Sequence, residues 1–225
     1  MKKIGIVVAM RIEGADFMEK LGKCEIIDLY KGFLVKKFLF SDKEIYFIES
    51  GVGELRAAIC AQMLIDRFGV EAIVNFGVVG GLKEGMRGKT YCVSGVAHYE
   101  FDTSVADGNP RGKYEIFDSA VIPCDERIVS LIKKIDGSIE SVICASGDKF
   151  VADEDFKRGL IKDFNASICE MESAGIIMAA KRSGIPCGFV KIVSDDGDHA
   201  DEFFDFIEHM KDELSKIVIP LIVEL

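Results

Sequence analysis

The chain is 225 residues long, enough for one large domain with a well-buried core, and no low-complexity or Pro/Ser-rich linker divides it. Its 38 acidic against 28 basic residues, formal net charge of -10 and pI near 4.9 argue against a nucleic-acid or anionic-membrane surface, because phosphate backbones select basic patches. A small molecule is the expected partner. Seven scattered cysteines without a C-x-x-C pair predict reduced thiols in a cytoplasmic protein, and three dispersed histidines predict no metal. The N-terminal apolar run is too brief for a signal peptide, and no run approaches the roughly 20 apolar residues of a membrane span.

Ile4 to Ala9 is apolar on both faces, as a central parallel strand covered by helices requires. From Arg11 to Leu21 the positions Ile12, Ala15, Phe17, Met18 and Leu21 recur at helical spacing, and Gly22 is placed to end the helix. That predicts Glu13 in the first turn, where it is either a solvated residue favoured by the helix dipole or a group aimed at a ligand. Cys24 to Tyr30 and Phe33 to Phe40, joined through Lys31 and Gly32, read as an antiparallel hairpin, with Glu44 to Ile48 as the next strand. Ser50-Gly51-Val52-Gly53 then opens a helix from about Glu54 to Phe68. A strand, G-V-G and a helix resemble the start of a dinucleotide fingerprint, but Arg56 replaces its third Gly and Glu71 precedes the next strand when it should follow it. A tight backbone turn near a sugar or anion is the better reading.

Ala72 to Phe76 predicts a buried strand ending in a turn, Gly77-Val78-Val79-Gly80-Gly81, where missing side chains let backbone N–H groups approach a ligand or the chain simply reverses. Lys89 to His98 is a long strand, Val105 to Glu115 a mobile loop, and His98 a surface or satisfied core residue. After a helix over Asp125 to Ile135 and a strand over Ser138 to Ala145 comes Ser146-Gly147-Asp148-Lys149-Phe150-Val151, in which Phe150 either packs in the core or stacks on a planar ring. A charged helix over 153–163 precedes Glu170 and Glu172, which stand at the mouth of a small-residue helix from Ala174 to Ser183. Both are costly there unless paired or bonded to a ligand.

Phe189, Val190, Ile192 and Val193 around Lys191 predict a buried parallel strand, ending in Ser194, Asp195, Asp196, Gly197 and Asp198. Three carboxylates thus gather where an open α/β sheet places its ligand crevice. They form either a solvated loop capping the next helix or a site in which a raised Asp pKa permits general-acid chemistry. Phe203, Phe204, Phe206, Ile207, Met210, Leu214 and Ile217 give the last helix an apolar face, with a break or kink near Pro220.

Taken in order, G-I-V-V-A-M-R-I-E, S-G-V-G, N-F-G-V-V-G-G-L, S-G-D-K-F-V, E-M-E-S and V-S-D-D-G-D resemble the purine nucleoside phosphorylase/nucleosidase superfamily across nearly the whole chain. Within it the sequence looks most like the 5'-methylthioadenosine/S-adenosylhomocysteine nucleosidases. The resemblance implies a single α/β domain over residues 1–225, built on a twisted mixed β-sheet flanked by helices, forming a homodimer and using no metal or cofactor. It implies a purine nucleoside as the small-molecule partner, and hydrolysis of the bond between adenine and a 5'-substituted ribose. Asp195 would then act as general acid at purine N7, with Ser194 holding it, and Glu13 would orient and deprotonate the attacking water. Glu172 would accept the ribose hydroxyls with Met171 against the sugar, Phe150 would stack on the purine, and the Val151 backbone would read its Watson–Crick edge. Ala9 and Met10 would lie near the sugar and water. The glycine-rich segment contributes Val78 and Gly80 to the same site.

Two departures stand out. Many nucleosidases carry G-S-A-G-G where this chain has G-V-V-G-G, so Val78 removes a hydroxyl from the ribose or water site; and D-D-G-D replaces the common D-x-A-D while leaving Asp195 in place. Phosphorylases of the superfamily supply arginines after the first strand and before the glycine turn, where here only Arg11 and the nearby Arg56 are candidates. Water is therefore the expected acceptor, with phosphorolysis, a futalosine-type nucleoside substrate, and a silent nucleoside-binding module as alternatives.

Overall fold

The computed structural model describes residues 1–30, 33–195 and 203–225. Lys31, Gly32, Asp196, Gly197 and Asp198 lie outside the described residues, as do the side chains of Phe203, Phe204, Ile207 and Met210. The elements in chain order are β1 (Lys3–Val8), α1 (Ala15–Leu21), β2 (Cys24–Tyr30), β3 (Phe33–Phe40), β4 (Lys43–Glu49), α2 (Glu54–Phe68), β5 (Ala72–Gly81) and β6 (Thr90–His98). There follow α3 (Ser104–Asp107), β7 (Val121–Pro123), α4 (Glu126–Ile135), β8 (Glu140–Ser146), α5 (Glu154–Phe164), β9 (Ile168–Glu170), α6 (Ser173–Arg182), β10 (Cys187–Asp195) and α7 (Phe203–Glu224).

Among the described residues the strands form one mixed sheet in the order β10-β6-β8-β9-β5-β1-β4-β3-β2, with β7 added to β6. Because β10 also pairs with β5, five of these strands close into a ring, and β1, β4, β3 and β2 extend it as an open wing. The strands β4, β1, β5 and β10 run parallel, so their carboxyl ends meet on one side. A sheet of this kind needs both faces covered, which explains the near-continuous apolar runs. Alternate residues such as Val7, Ile73 and Phe189 pack under α2 and α6. Ile6, Val74 and Val190 face the opposite way, onto α1, α4 and α7. Asp125 and Asp153 cap α4 and α5 by accepting from the Ile128 and Phe156 amides.

Three expectations need correction. Helix α1 starts at Ala15 and not Arg11: Glu13 sits in a preceding turn, its amide bonded to the Met10 carbonyl at 3.1 Å and its carboxylate to the Met10 amide at 2.8 Å. Residues 77–81 are not a turn but the second half of β5, kept extended by β10 on one side and by β9 pairing with Gly80 and Gly81 on the other. The segment 105–115 starts exposed, at Val105 on the short helix α3, and ends with Tyr114 stacked on Phe101 at 3.9 Å between ring centroids. Helix α7 continues through Pro220 to Glu224. The three-residue strands β7 and β9 escape notice because such short runs carry no periodicity.

The site depends on how closely α2 and α6 approach. A Cβ on Gly175 would stand 2.3 Å from the Glu54 carbonyl oxygen and 3.1 Å from the Ala58 Cβ. Alanine in a helix normally stabilises by about 1 kcal/mol over glycine, but here backbone must move. Gly175→Ala is expected to lower stability by roughly 1–3 kcal/mol, read as a drop in Tm on thermal denaturation; an unchanged or raised Tm would show that the helices can part without cost.

Candidate active site

The carboxyl ends of β1, β5 and β10 and the start of α6 enclose a cavity of about 220 Å³. Ala9, Met10 and Glu13 come from the end of β1 and the turn after it, Val78 and Gly80 from β5, and Ser194 and Asp195 from β10. Met171 and Glu172 enter from the junction of β9 with α6, and Phe150 and Val151 from the loop after β8. Every residue assigned to the site from sequence therefore lines one cavity. Val52, Val79, Lys149, Cys169 and Glu170 line it too.

Glu13 is only 3% exposed. One carboxylate oxygen accepts from the Val78 amide at 3.0 Å and the other from the Met10 amide at 2.8 Å. Its place exists because β5 carries glycine at 77: a Cβ there would stand 2.3 Å from Glu13 Oε1. Burial pushes the Glu13 carboxyl above its ordinary value, against the pull of the two amides and of the Lys191 ammonium. A buried carboxylate of raised basicity, with each oxygen anchored, is suited to accept a proton from water.

Glu172 is likewise buried and accepts from the Gly53 amide at 3.0 Å. The S-G-V-G segment is thus a tight turn, with Gly51 and Gly53 both at positive φ, that aims its backbone at this carboxylate. Burial, reinforced by the neighbouring Glu170, pushes Glu172 up to about 7. Glu170 differs: burial pushes it up, but the Lys191 ammonium at 3.0 Å and the hydrogen bonds around it bring it below its ordinary value. Its oxygens also take the Glu172 and Ser173 amides and the Ser173 hydroxyl. Both glutamates line the cavity, but Glu170 is paired with a buried ammonium, whereas Glu172 is held by a backbone amide.

Asp195 is oriented by an irregularity in its own strand. Val193 pairs with Val79 and Asp195 with Gly80, two residues against one, which is the pattern of a β-bulge and a means of re-aiming a side chain. Ser194 Oγ donates to Asp195 Oδ2 at 3.0 Å and lies 3.2 Å from the Val79 carbonyl. Arg87 Nε donates to the Ser194 carbonyl at 3.1 Å, fixing the strand end from the outside.

The loop carrying Phe150 and Val151 is tied down by Tyr99, whose hydroxyl reaches the Gly147 and Lys149 carbonyls at 3.3 and 3.2 Å. Val151 is buried beneath it, while the Phe150 ring remains 61% exposed at the cavity mouth, available to a planar partner. His98 is a satisfied residue, 2.8 Å from Glu54 and 2.6 Å from the Tyr114 hydroxyl. Arg11 is exposed, and Arg56 packs over Gly51, so neither guanidinium stands in the cavity. Of the residues missed from sequence, Val52 had no chemical signal. Lys191 had one, a lone cation inside an apolar strand, which must find a buried counter-charge.

Residues 3–222 match the family model described as the phosphorylase superfamily. Aminodeoxyfutalosine nucleosidase of Helicobacter pylori is 31% identical over 95% of this chain and 100% of its own length. The 5'-methylthioadenosine/S-adenosylhomocysteine nucleosidase of Shewanella denitrificans is 28% identical over 99% and 100%. Among solved structures, the Helicobacter pylori 5'-methylthioadenosine/S-adenosylhomocysteine nucleosidase with butyl-thio-DADMe-Immucillin-A superposes with a TM-score of 0.92 at 29% identity, over 100% of this chain and 99% of that one. With the same sheet, the same single-domain layout and a family model spanning almost its full length, the chain belongs to the phosphorylase superfamily.

Proposed function

We propose that the protein hydrolyses the N-glycosidic bond of a 5'-substituted adenosine, 5'-methylthioadenosine or S-adenosylhomocysteine, releasing adenine and the thioribose. The observation that carries the reading is the convergence of Glu13, Glu172 and Asp195 on one cavity, from three separate elements. Asp195, held by Ser194, protonates or hydrogen-bonds N7 so that the base leaves neutral, and positive charge builds on the sugar. Glu13 orients a water against the anomeric carbon and takes its proton, while Glu172 accepts the ribose hydroxyls and Met171 packs on the sugar. Phe150 stacks on the purine, the Val151 backbone reads its edge, and Ala9, Met10, Val78 and Gly80 close the sugar and water end. Water is favoured over phosphate because the carboxylates of Glu13 and Glu172 border the acceptor side, where a phosphorylase needs cations. A futalosine-type substrate is the second reading, carried by the 31% identity to a relative of that name.

The protein acts as a homodimer. Leu55 and Ile59 lie one turn apart on α2, 75% and 51% exposed, beside Val52 at the cavity mouth, an apolar stripe that a second subunit would cover. The unpaired state of all seven cysteines supports a cytoplasmic protein, and methionine salvage follows from the proposed substrates. Light scattering should give twice the 24.8 kDa chain mass, and Leu55→Glu should reduce it to that of one chain; a monomeric wild type sinks this part.

The reaction is tested by product analysis with 5'-methylthioadenosine, S-adenosylhomocysteine, aminodeoxyfutalosine and inosine, each with and without phosphate. Free adenine and free sugar independent of phosphate are expected from the adenine-bearing substrates, and a sugar 1-phosphate would overturn hydrolysis. Asp195→Asn and Glu13→Gln should each cost about 10²–10⁴ in kcat with the fold retained, and a near wild-type rate in either removes its assigned role. Val78→Ser should alter the ranking of 5' substituents; an unchanged ranking would show that this position does not set specificity.

The rate should also depend on pH in a defined direction. Glu13 and Glu172 work ionised, and both are raised, Glu172 to about 7. Activity should therefore fall as pH drops through about 7, well above the ordinary carboxylate range near 4.3. An acid limb at pH 4–5 would contradict the assignment of Glu172.

A further inference from the structure

We infer that Lys191 and Glu170 form a positioning pair for this cavity, in which Lys191 supplies the buried positive charge that lets Glu13 and Glu172 stay ionised side by side. The rate prediction below rests on the hydrolase reading; the charge arrangement itself does not.

The starting point is a cost. All nine residues of β10 are buried, and an ammonium in such a strand is unfavourable unless paired. Lys191 is 2% exposed, its Nζ lies 3.0 Å from Glu170 Oε2, and the Glu170 side chain is 3% exposed. A pair kept only for stability could be replaced by apolar side chains, often at no loss. Its placement argues for more.

Lys191 is the register partner of Gly77 on the adjacent parallel strand. Side chains of register partners project from the same face of a sheet. On that face the missing Gly77 side chain is replaced by the Glu13 carboxylate, so Lys191 stands beside Glu13. Glu170, on the other side of the ammonium, takes the amides of Glu172 and Ser173 at 3.2 and 3.0 Å and thereby fixes the first turn of α6, from which Glu172 enters the cavity. Lys191 is thus bordered by Glu13 from the turn before α1, by Glu170 of β9, by Glu172 at the start of α6, and by the Cys144 thiol of β8. Three carboxylates share one ammonium. Lys191 draws Glu13 and Glu172 toward their ionised forms, and Glu170 pushes both the other way.

The consequence is a sign pattern that structural support alone would not produce. The wild type, Lys191→Met, Lys191→Arg, Glu170→Gln and the Lys191→Met/Glu170→Gln double variant are compared by pH profile of kcat/KM and by 13C NMR titration of the glutamate carboxyls. Lys191→Met should move the acid limb and the Glu172 titration up by about one pH unit, costing about tenfold in kcat/KM below the limb while the alkaline plateau changes little. Lys191→Arg should leave both in place, and Glu170→Gln should move both down. The double variant should return close to wild type in pH, whatever amplitude it loses from the weakened start of α6. Folded Lys191→Met and Glu170→Gln proteins with unmoved limbs would overturn the proposal. Should Lys191→Met fail to fold, Glu170→Gln and the double variant still differ by the Lys191 charge, and coincident limbs in those two would overturn it equally. If the wild type cleaves no nucleoside, the hydrolase reading falls, and the Glu172 titration in the folded variants decides this inference alone.

Discussion

A carboxylate can lie against the backbone of a central strand only where that strand has given up its side chain. Gly77 provides that gap, and the geometry around it follows from the Glu13 carboxylate that fills it. One oxygen takes the Val78 amide, which β5 can direct sideways only because it stays extended through 77–81, and the other closes the turn at Met10. That turn delays α1 to Ala15 and leaves Ala9 and Met10 facing the cavity. An alanine at 77 would expel the carboxylate from the sheet. The gap also decides which neighbour matters, since the register partner of Gly77 is Lys191.

A second close approach fixes the opposite wall. Gly175 lets α6 meet the backbone of α2 at Glu54, which holds the Gly53 amide against Glu172 across a separation of more than a hundred residues in sequence. Ser146 joins the same junction, donating to Glu54 and accepting from the Ala174 amide. Packing and polar satisfaction are therefore not separate matters here: the helix contact that buries apolar area also sets the position of a cavity carboxylate. The same junction reaches outward through Glu54 to His98 and Tyr114, which explains why His98 is engaged in the fold and stays away from the cavity.

Much of this was legible in the sequence where a residue type is costly outside one environment. Glycine at 51 and 53, glutamate at 172 beside a buried helix, and aspartate at the end of an apolar strand each raised a physical question that the cavity answers. The α2 helix, Glu54 to Phe68, shows its bounds directly because Gly53 and Gly69 punctuate a clear apolar stripe. Other features were not legible because they belong to pairs of elements. Nothing local says that Val78 continues a strand, since its conformation is imposed by β9 and β10. The bulge that turns Asp195 is a mismatch between two strands and has no signature in either one. The Lys191–Glu170 pair joins residues twenty-one apart, so sequence shows two costly charges without showing that they answer one another.

Burial of the cavity carboxylates carries an electrostatic cost, and the sign of that cost bears on what the site can recognise. Glu172 is raised in the folded chain, so the stability linked to its protonation is complete below its unfolded value near 4.3 and is lost as pH rises through about 7. Above that, the ionised group is carried at a net cost on the order of 3–4 kcal/mol, even with the Gly53 amide bonded to it. Hydroxyl donors brought by a sugar would remove that cost on binding, whereas a sugar lacking them would leave a buried charge unpaired. A site built this way discriminates by penalty more than by attraction, and rejects a deoxygenated analogue more strongly than any added apolar contact could favour the right one. Under the proposed chemistry, the apolar Val52 therefore adjusts preference at the cavity mouth, while Glu172 sets the requirement for the ribose hydroxyls.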